Sequence, residues 1–415
     1  MIWVHTFSVC VRTIDGTHKK PGPNDGSNYD GRTTRATHTK LVNHKRTHCH
    51  SENDLESLEG LLAEECSRGS VPGFSVAVVK GGSVCWMKGF GFSDLSSQVP
   101  ATAETVYMWF SMTKIVTATA VMQLHDKGRL ALDDPVNDYV PNFPTAADST
   151  LVTVRHLLNH SSGLPNPIPI KWVHAATETG PNTDAFLNQL LVRYRKLKSK
   201  PGLKASYSNL GYIALGKVIE EASGEHYQDY VVDKILKPLG MNQTNFIYTP
   251  IMLLNTATGY QKRLSMMTML LRLMGVPRGI LNGRVGDYVA FNRFYLDGAS
   301  YGGLLGPVKD VARFLHVHLN RGLADGEQIL SPDSVALMQQ ISATGDKVDV
   351  GLGWYREHSA SSAKRIFLEH LGGGAGFFND MRIYPEESMG IVVMGNSTKY
   401  DVERIIQAVR SIDWK

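Results

Sequence analysis

The chain has 415 residues, of which 42% are hydrophobic, 20% charged and 9% aromatic, the balance of a soluble globular protein long enough for two domains or one composite one. Its net charge of +4 is uneven: residues 1–50 hold 8 Lys/Arg against 3 Asp/Glu, and the other 35 basic and 36 acidic residues leave the body near neutrality. That removes any electrostatic case for a nucleic-acid partner, and no run of 18 apolar residues is present to span a membrane.

Residues 1–53 are polar, rich in Gly, Asn and Thr and aperiodic, which predicts a disordered tail. His44, His48 and His50 surround Cys49, but no motif completes a metal-ligand set. The opening MIWVHTFSVCV lacks a basic n-region and a cleavage site. It is not read as a signal peptide, and a cytoplasmic location is the default expectation. Cys10, Cys49, Cys66 and Cys85 do not make a disulfide framework. From Asp54 the pattern becomes regular. An amphipathic helix with acidic caps is predicted first, then FSVAVVKGGSVCWMKGFGFSD predicts two strands turned at Gly81 and Gly82.

The stretch YMWFSMTKIVTATAVMQLHDKG begins at Tyr107 and puts Ser111 and Lys114 one turn apart at the head of an apolar, hence buried, helix. A buried ammonium is unfavourable unless something uses or neutralises it. A serine hydroxyl is a poor nucleophile until a base takes its proton, and a lysine of lowered pKa can be that base. The helix start also offers the Ser111 N–H to an oxyanion. An ordinary helix N-cap is the bland alternative. A second S-x-x-K, Ser361 to Lys364, sits in the polar loop REHSASSAKR with no apolar helix behind it and reads as exposed loop.

Farther along, His156 and His160 in RHLLNHSSG have the spacing of helical zinc ligands, but no glutamate follows His156 and no metal is expected. KASYSNLGYIALGKVIEEASG sets Tyr207 and Asn209, the single Y-x-N of the chain, just ahead of an amphipathic helix. A tyrosine near an ammonium is expected to drop its pKa and relay a proton. The Met/Leu-rich residues 262–281 predict an amphipathic helix packed on the core, with an apolar flap over a pocket or a membrane-surface helix as alternatives. His316 and His318 read as surface residues.

RIFLEHLGGGAGFFNDMRIYPEESMGIVVMGNS predicts three strands with turns at the glycine cluster and at 385–388, and a last helix follows over about 402–412. His370 opens the single H-x-G, and Gly372 and Gly373 would let a substrate lie along the backbone. Taken singly, Tyr207 also fits a core aromatic, His370 a half-buried strand residue, and Gly372, Gly373 and Gly374 a turn. Strands at both ends with helices between predict an α/β (α+β) fold: one antiparallel sheet from residues 54–110 and 300–415, a mostly helical 111–299, and the active site at their interface.

The elements S-M-T-K, Y-S-N and H-L-G, in this order, resemble the penicillin-binding-protein-like serine hydrolases: class C β-lactamases, D-Ala-D-Ala peptidases, D-aminopeptidases and family VIII carboxylesterases. The resemblance runs from about Val71 to Asn396 and includes VPGFSVAVV, GRLALDDPVNDYVP, TVRHLLNHSSGLP and LKPLGM. It implies a β-lactamase/transpeptidase-like fold and no cofactor. Ser111 would be the acylated nucleophile, Lys114 its partner, and Tyr207 general base and later proton donor. Asn209 would orient a substrate carbonyl or amide, and His370 would stand where many members carry the lysine of K-T-G. The N–H groups of Ser111 and Gly373 would form the oxyanion hole.

The substrate expected is a small molecule. Histidine in place of lysine, the lack of an evident export signal and the apolar 262–281 favour short- to medium-chain carboxylic esters. Asn209 suits a lactam or peptide and keeps a β-lactamase or D-Ala-D-Ala carboxypeptidase/D-aminopeptidase open. A non-catalytic binding protein that retains the fold is the alternative of another class.

Overall fold

The computed structural model describes residues 52–277, 279–358 and 366–414. The expectations for residues 1–51, for the histidines around Cys49 and for the pair Ser361 and Lys364 lie outside the described residues. The first helix, α1 (Glu52–Ser67), starts two residues before Asp54. The expected hairpin follows as β1 (Gly73–Lys80) and β2 (Ser83–Asp94), turned by Gly81 and Gly82 at φ 55° and 86°, a region glycine enters without a Cβ clash.

A short β3 (Val99–Pro100) edges that hairpin. Among the helices that follow are α2 (Thr113–Asp126), α3 (Val154–Leu158), α4 (Asn209–Ser223), α5 (Met266–Met274) and α6 (Val308–Leu319). Strands then return as β4 (Ala343–Thr344), β5 (Val348–Val350), β6 (Tyr355–Glu357), β7 (Leu368–Gly374), β8 (Phe377–Tyr384) and β9 (Met389–Gly395), before α7 (Val402–Arg410). They make one nine-stranded antiparallel sheet in the order β4-β5-β6-β7-β8-β9-β1-β2-β3. The two ends of the chain meet where β9 pairs with β1, in register from Phe74 opposite Gly395 to Lys80 opposite Met389.

β9 is buried throughout and β1 is buried up to Lys80, as strands covered on both faces must be. Side chains alternate across the pleat. Ala77, Val79, Val392 and Met394 join the main apolar core with residues of α2 and α6. On the other face Phe74 stacks on Phe90 and Tyr400, and Trp86 meets Trp414, beside α1 and α7. Arg382 on β8 is buried with bonds to Glu369 of β7 (2.8 Å), Asp380 (2.9 Å) and Glu403 of α7 (2.7 Å). Burial pushes the Glu369 and Asp380 carboxyls up, and the Arg382 guanidinium between them opposes that rise.

Three expectations need correction. The glycine cluster is not a turn: Gly372, Gly373 and Gly374 belong to β7, and the chain reverses at Ala375 and Gly376. Residues 262–281 are not one helix. Gly275 (φ 70°) and Pro277 end α5, and 281–285 instead join a three-stranded sheet with 288–291 and 260–262. Nor does α5 lie flat on the core, since Leu271 is buried while Leu264 before it and Met266, Met269 and Leu273 within it stand 68–92% exposed. His318 is not a surface residue. Positions i and i+2 lie on opposite sides of a helix, and α6 turns His318 inward, edge-on to Phe314 and Trp354. Among the described residues no helix is long and apolar enough to cross a membrane.

Asn396, fully buried just past β9, accepts from Gly73 N–H (2.8 Å) and donates to the carbonyls of Phe92 (3.0 Å) and Ser93 (3.1 Å). One side chain thus ties the ends of β1, β2 and β9. Asn396→Ala removes the side-chain partner of the Gly73 N–H and of the Phe92 carbonyl, while the Ser93 carbonyl keeps the Thr258 N–H (2.9 Å), and should destabilise the protein by about 2 kcal/mol in urea unfolding; a change under about 0.5 kcal/mol would refute this account of the sheet's corner.

Candidate active site

The chain reaches Ser111 through a short strand, Tyr107–Met108, paired with Leu305–Gly306. The Tyr107 hydroxyl meets Ser75 of β1 (2.8 Å), and Asn379 of β8 donates to the Met108 carbonyl (2.8 Å). The sheet therefore holds this segment from beneath. Phe110 then takes φ 48°, a left-handed conformation that costs about 1 kcal/mol or more for a bulky residue. A 3-10 turn, Phe110–Met112, leads into α2. Ser111 thus sits just before the helix, partly exposed, and Lys114 occupies its first turn.

α2 is buried from Thr113 to Leu124, so the Lys114 side chain has no route to water. Its Nζ lies 2.6 Å from the Tyr301 carbonyl, 2.9 Å from Asn209 Oδ1 and 3.1 Å from Ser111 Oγ. The first two atoms can only accept. A neutral amine satisfies both with its two N–H groups and turns its lone pair to the serine hydroxyl. Burial favours that form, pushing Lys114 well below the usual lysine range. When a proton does arrive, the same three oxygens and the rings of Tyr207, Tyr212 and Tyr301, 4.9–5.5 Å away, receive the ammonium.

Tyr207 lies in an extended approach to α4, whose N-cap is Ser208; Asn209 is the first residue of the helix rather than a residue ahead of it. The Tyr207 hydroxyl is 2.7 Å from Ser111 Oγ. Asn209 gives its carbonyl to Lys114 and its backbone N–H to Asn166 (3.1 Å). The expected fall in the Tyr207 pKa does not occur. Burial raises it, and the Ser111 hydrogen bond opposes this only in part, because the neighbouring lysine is itself driven toward neutrality. Burial therefore favours the uncharged form of both partners of Ser111.

His370 on β7 is fully buried, its Nδ1–H donating to the Leu371 carbonyl (2.8 Å) and its ring 4.6 Å from that of Tyr355. Burial is the main cause that lowers its pKa to about 3, and any proton on Lys114 would push the same way, so it is neutral. The glycines have a steric reason. A Cβ at Gly372 would stand 2.1 Å from the Trp109 carbonyl, and one at Gly374 2.1 Å from the Phe110 ring; only bare backbone lets β7 pass against the Ser111 turn. β6 pairs with β7 at Glu369 alone, so among the described residues no strand covers that edge of β7 at His370–Gly374. An open strand edge beside a hydroxyl is a place for an extended substrate.

Ser111 bonds to Tyr207 and Lys114, and Lys114 bonds in turn to Asn209, while β7 with His370, Gly372 and Gly373 forms the adjoining wall. Sequence reasoning missed His160, Tyr355 and the Tyr301 carbonyl. The His160 ring lies 4.6 Å from Tyr207 and 5.0 Å from Tyr212. Its one signal was a spacing suited to metal, yet α3 ends at Leu158 and His160 lies beyond it. His156 instead closes a capping box with Thr153.

Residues 56–412 match the sequence profile of the Beta-lactamase family. Protein flp of Staphylococcus aureus (strain MW2) is 31% identical over 215 residues, 51% of this chain and 42% of that protein; the chain thus matches well under half the length of this relative. Penicillin-binding protein 4* of Bacillus subtilis (strain 168) is 27% identical over 350 residues, 81% of this chain and 71% of that protein. The solved structure of an octameric penicillin-binding protein homologue from Pyrococcus abyssi superposes with a TM-score of 0.70 at 28% identity, over 86% of this chain and 77% of that one. With its antiparallel sheet, flanking helices and Ser-Lys-Tyr cluster at the sheet edge, the chain belongs to the Beta-lactamase family of serine hydrolases.

Proposed function

We propose that the protein hydrolyses neutral carboxylic esters of short to medium chain length through an acyl-enzyme on Ser111. The observation that carries this reading is the hydrogen-bonded line Tyr207–Ser111–Lys114, at 2.7 and 3.1 Å. Ser111 Oγ attacks the ester carbonyl and its proton passes to the Lys114 amine. The N–H groups of Ser111 and Gly373 hold the oxyanion, and the Asn209 amide nitrogen orients the substrate carbonyl. Tyr207 gives its proton to the departing alcohol, leaving a phenolate beside the Lys114 ammonium. Deacylation runs the same steps backwards. The phenolate takes a proton from water, hydroxide attacks the acyl group, and Ser111 Oγ leaves with the proton of Lys114. Every group returns to its starting form, and Tyr207 serves as acid in one half and base in the other.

The neutral His370 favours esters over carboxylate-bearing substrates, since neither it nor the resting Lys114 offers a fixed positive charge. The second reading, a β-lactamase or D-Ala-D-Ala peptidase, draws on Asn209, whose amide suits a lactam or peptide. Turnover of p-nitrophenyl butyrate, nitrocefin and a D-Ala-D-Ala peptide by one preparation separates them. The ester should be the best substrate by kcat/KM, and a clear preference for nitrocefin or the peptide would replace the ester reading.

A fluorophosphonate should add one adduct to the wild type and none to Ser111→Ala, whose ester hydrolysis should fall to background. A Ser111→Ala protein with wild-type turnover would end the acyl-enzyme account. Lys114→Arg puts a permanent cation in place of the amine and offers no lone pair, because a guanidinium stays protonated; kcat should fall about 1,000-fold. The active form carries the neutral amine, so kcat/KM should rise with pH through a limb set by Lys114, well below the usual lysine range, and be lost as pH falls. A profile flat across the acid range would contradict Lys114 as the proton acceptor.

A further inference from the structure

We propose that His160 is a positioning residue for Tyr207, gripping the backbone on both sides of it. The inference rests on the reading of Tyr207 as the group that protonates the leaving alcohol. His160 follows α3 and its C-cap Asn159 and takes φ 58°, a left-handed conformation uncommon for a residue with a Cβ. In that conformation two acceptors of the one residue reach the Tyr207 segment. The His160 carbonyl accepts from Ser206 N–H at 2.7 Å, and its Nδ1 accepts from Ser208 N–H at 3.2 Å. The bonds straddle Tyr207, and the imidazole packs against the phenol ring at 4.6 Å.

The platform behind this clamp is itself fixed. Asn159 Oδ1 accepts from the backbone and hydroxyl of Ser161 (3.1 and 2.7 Å), and the Tyr212 hydroxyl of α4 donates to the Leu158 carbonyl (2.8 Å). Because Nδ1 accepts, neutral His160 carries its proton on Nε2, which is buried without a protein partner. A purely structural histidine at this place would be expected to satisfy both nitrogens. Here one nitrogen is spent on the segment that carries the phenol, and the tilted ring limits how far that phenol can swing from Ser111. A small displacement of a reacting group lowers kcat steeply.

The test uses leaving-group dependence, which general loss of stability does not change. Hydrolysis of p-nitrophenyl butyrate needs little protonation of its leaving group, whereas ethyl butyrate needs much. His160→Phe keeps the ring and removes the acceptor. His160→Asn keeps an acceptor at the Nδ1 position and tolerates the left-handed backbone. Tyr207→Phe is the reference. With folding checked by circular dichroism, His160→Phe should lower kcat for ethyl butyrate about 10- to 100-fold more than for p-nitrophenyl butyrate, with KM little changed, and His160→Asn should recover most of the loss. Tyr207→Phe should show the same selective loss, larger still. If Tyr207→Phe loses both esters equally, the role given to Tyr207 fails. If Tyr207→Phe is selective and His160→Phe is not, the positioning role alone is overturned. Should His160→Phe not fold, His160→Ala against His160→Asn decides: a loss in His160→Ala that is equal for both esters, or that His160→Asn does not recover, overturns the proposal.

Discussion

Burial of one amine organises this molecule. Lys114 sits in a helix with no solvent-facing side, and its nitrogen is met by a backbone carbonyl from Tyr301, an amide oxygen from Asn209 and the hydroxyl of Ser111. Those partners come from three separate stretches of chain. The 3-10 turn at Ala299–Tyr301 and the N-terminus of α4 must both dock on α2 before the amine is satisfied. An amine left in that place without acceptors would be strongly destabilising. The requirement that protects the fold also leaves the lone pair facing the hydroxyl, so the contacts that stabilise the fold are the ones on which the proposed activation of Ser111 depends.

The second constraint is steric. The Ser111 turn lies so close to β7 that positions 372 and 374 have no room for a Cβ, and Phe110 is held in a left-handed conformation. The result is a partly exposed hydroxyl beside a strand edge that no other described strand covers. Residues in sparsely populated conformations persist where their surroundings over-determine them. Here the Tyr107 and Asn379 hydrogen bonds supply that support from the sheet.

Local pattern made much of this legible. The hairpin at Gly81 and Gly82, the three C-terminal strands and the apolar run after Lys114 each follow from residue periodicity, and the motif order picked out the four residues that touch. What local pattern missed shares a cause. His318 faces inward because of which side of α6 meets Trp354, and the glycine cluster is strand because the Ser111 turn packs on it. Residues 262–281 divide at Gly275 and Pro277 into a helix and a strand that finds its partner at 288–291. His160 looked like half of a metal pair only while α3 was imagined to continue past Leu158.

The chemistry divides in the same way. Residue order alone determined which side chains are available: a serine three places before a lysine, a tyrosine two before an asparagine, and a histidine ahead of a run of glycines. It also marked the first hairpin, the three C-terminal strands and the helix after Lys114, because periodicity is local. Only the tertiary structure decided the protonation of those groups. Desolvation is set by everything packed around a side chain, so the tyrosine expected to acidify beside a cation instead keeps its proton, and His370 is neutral. Charge in a folded protein belongs to the environment as much as to the residue, and that environment is assembled from segments nearly two hundred positions apart.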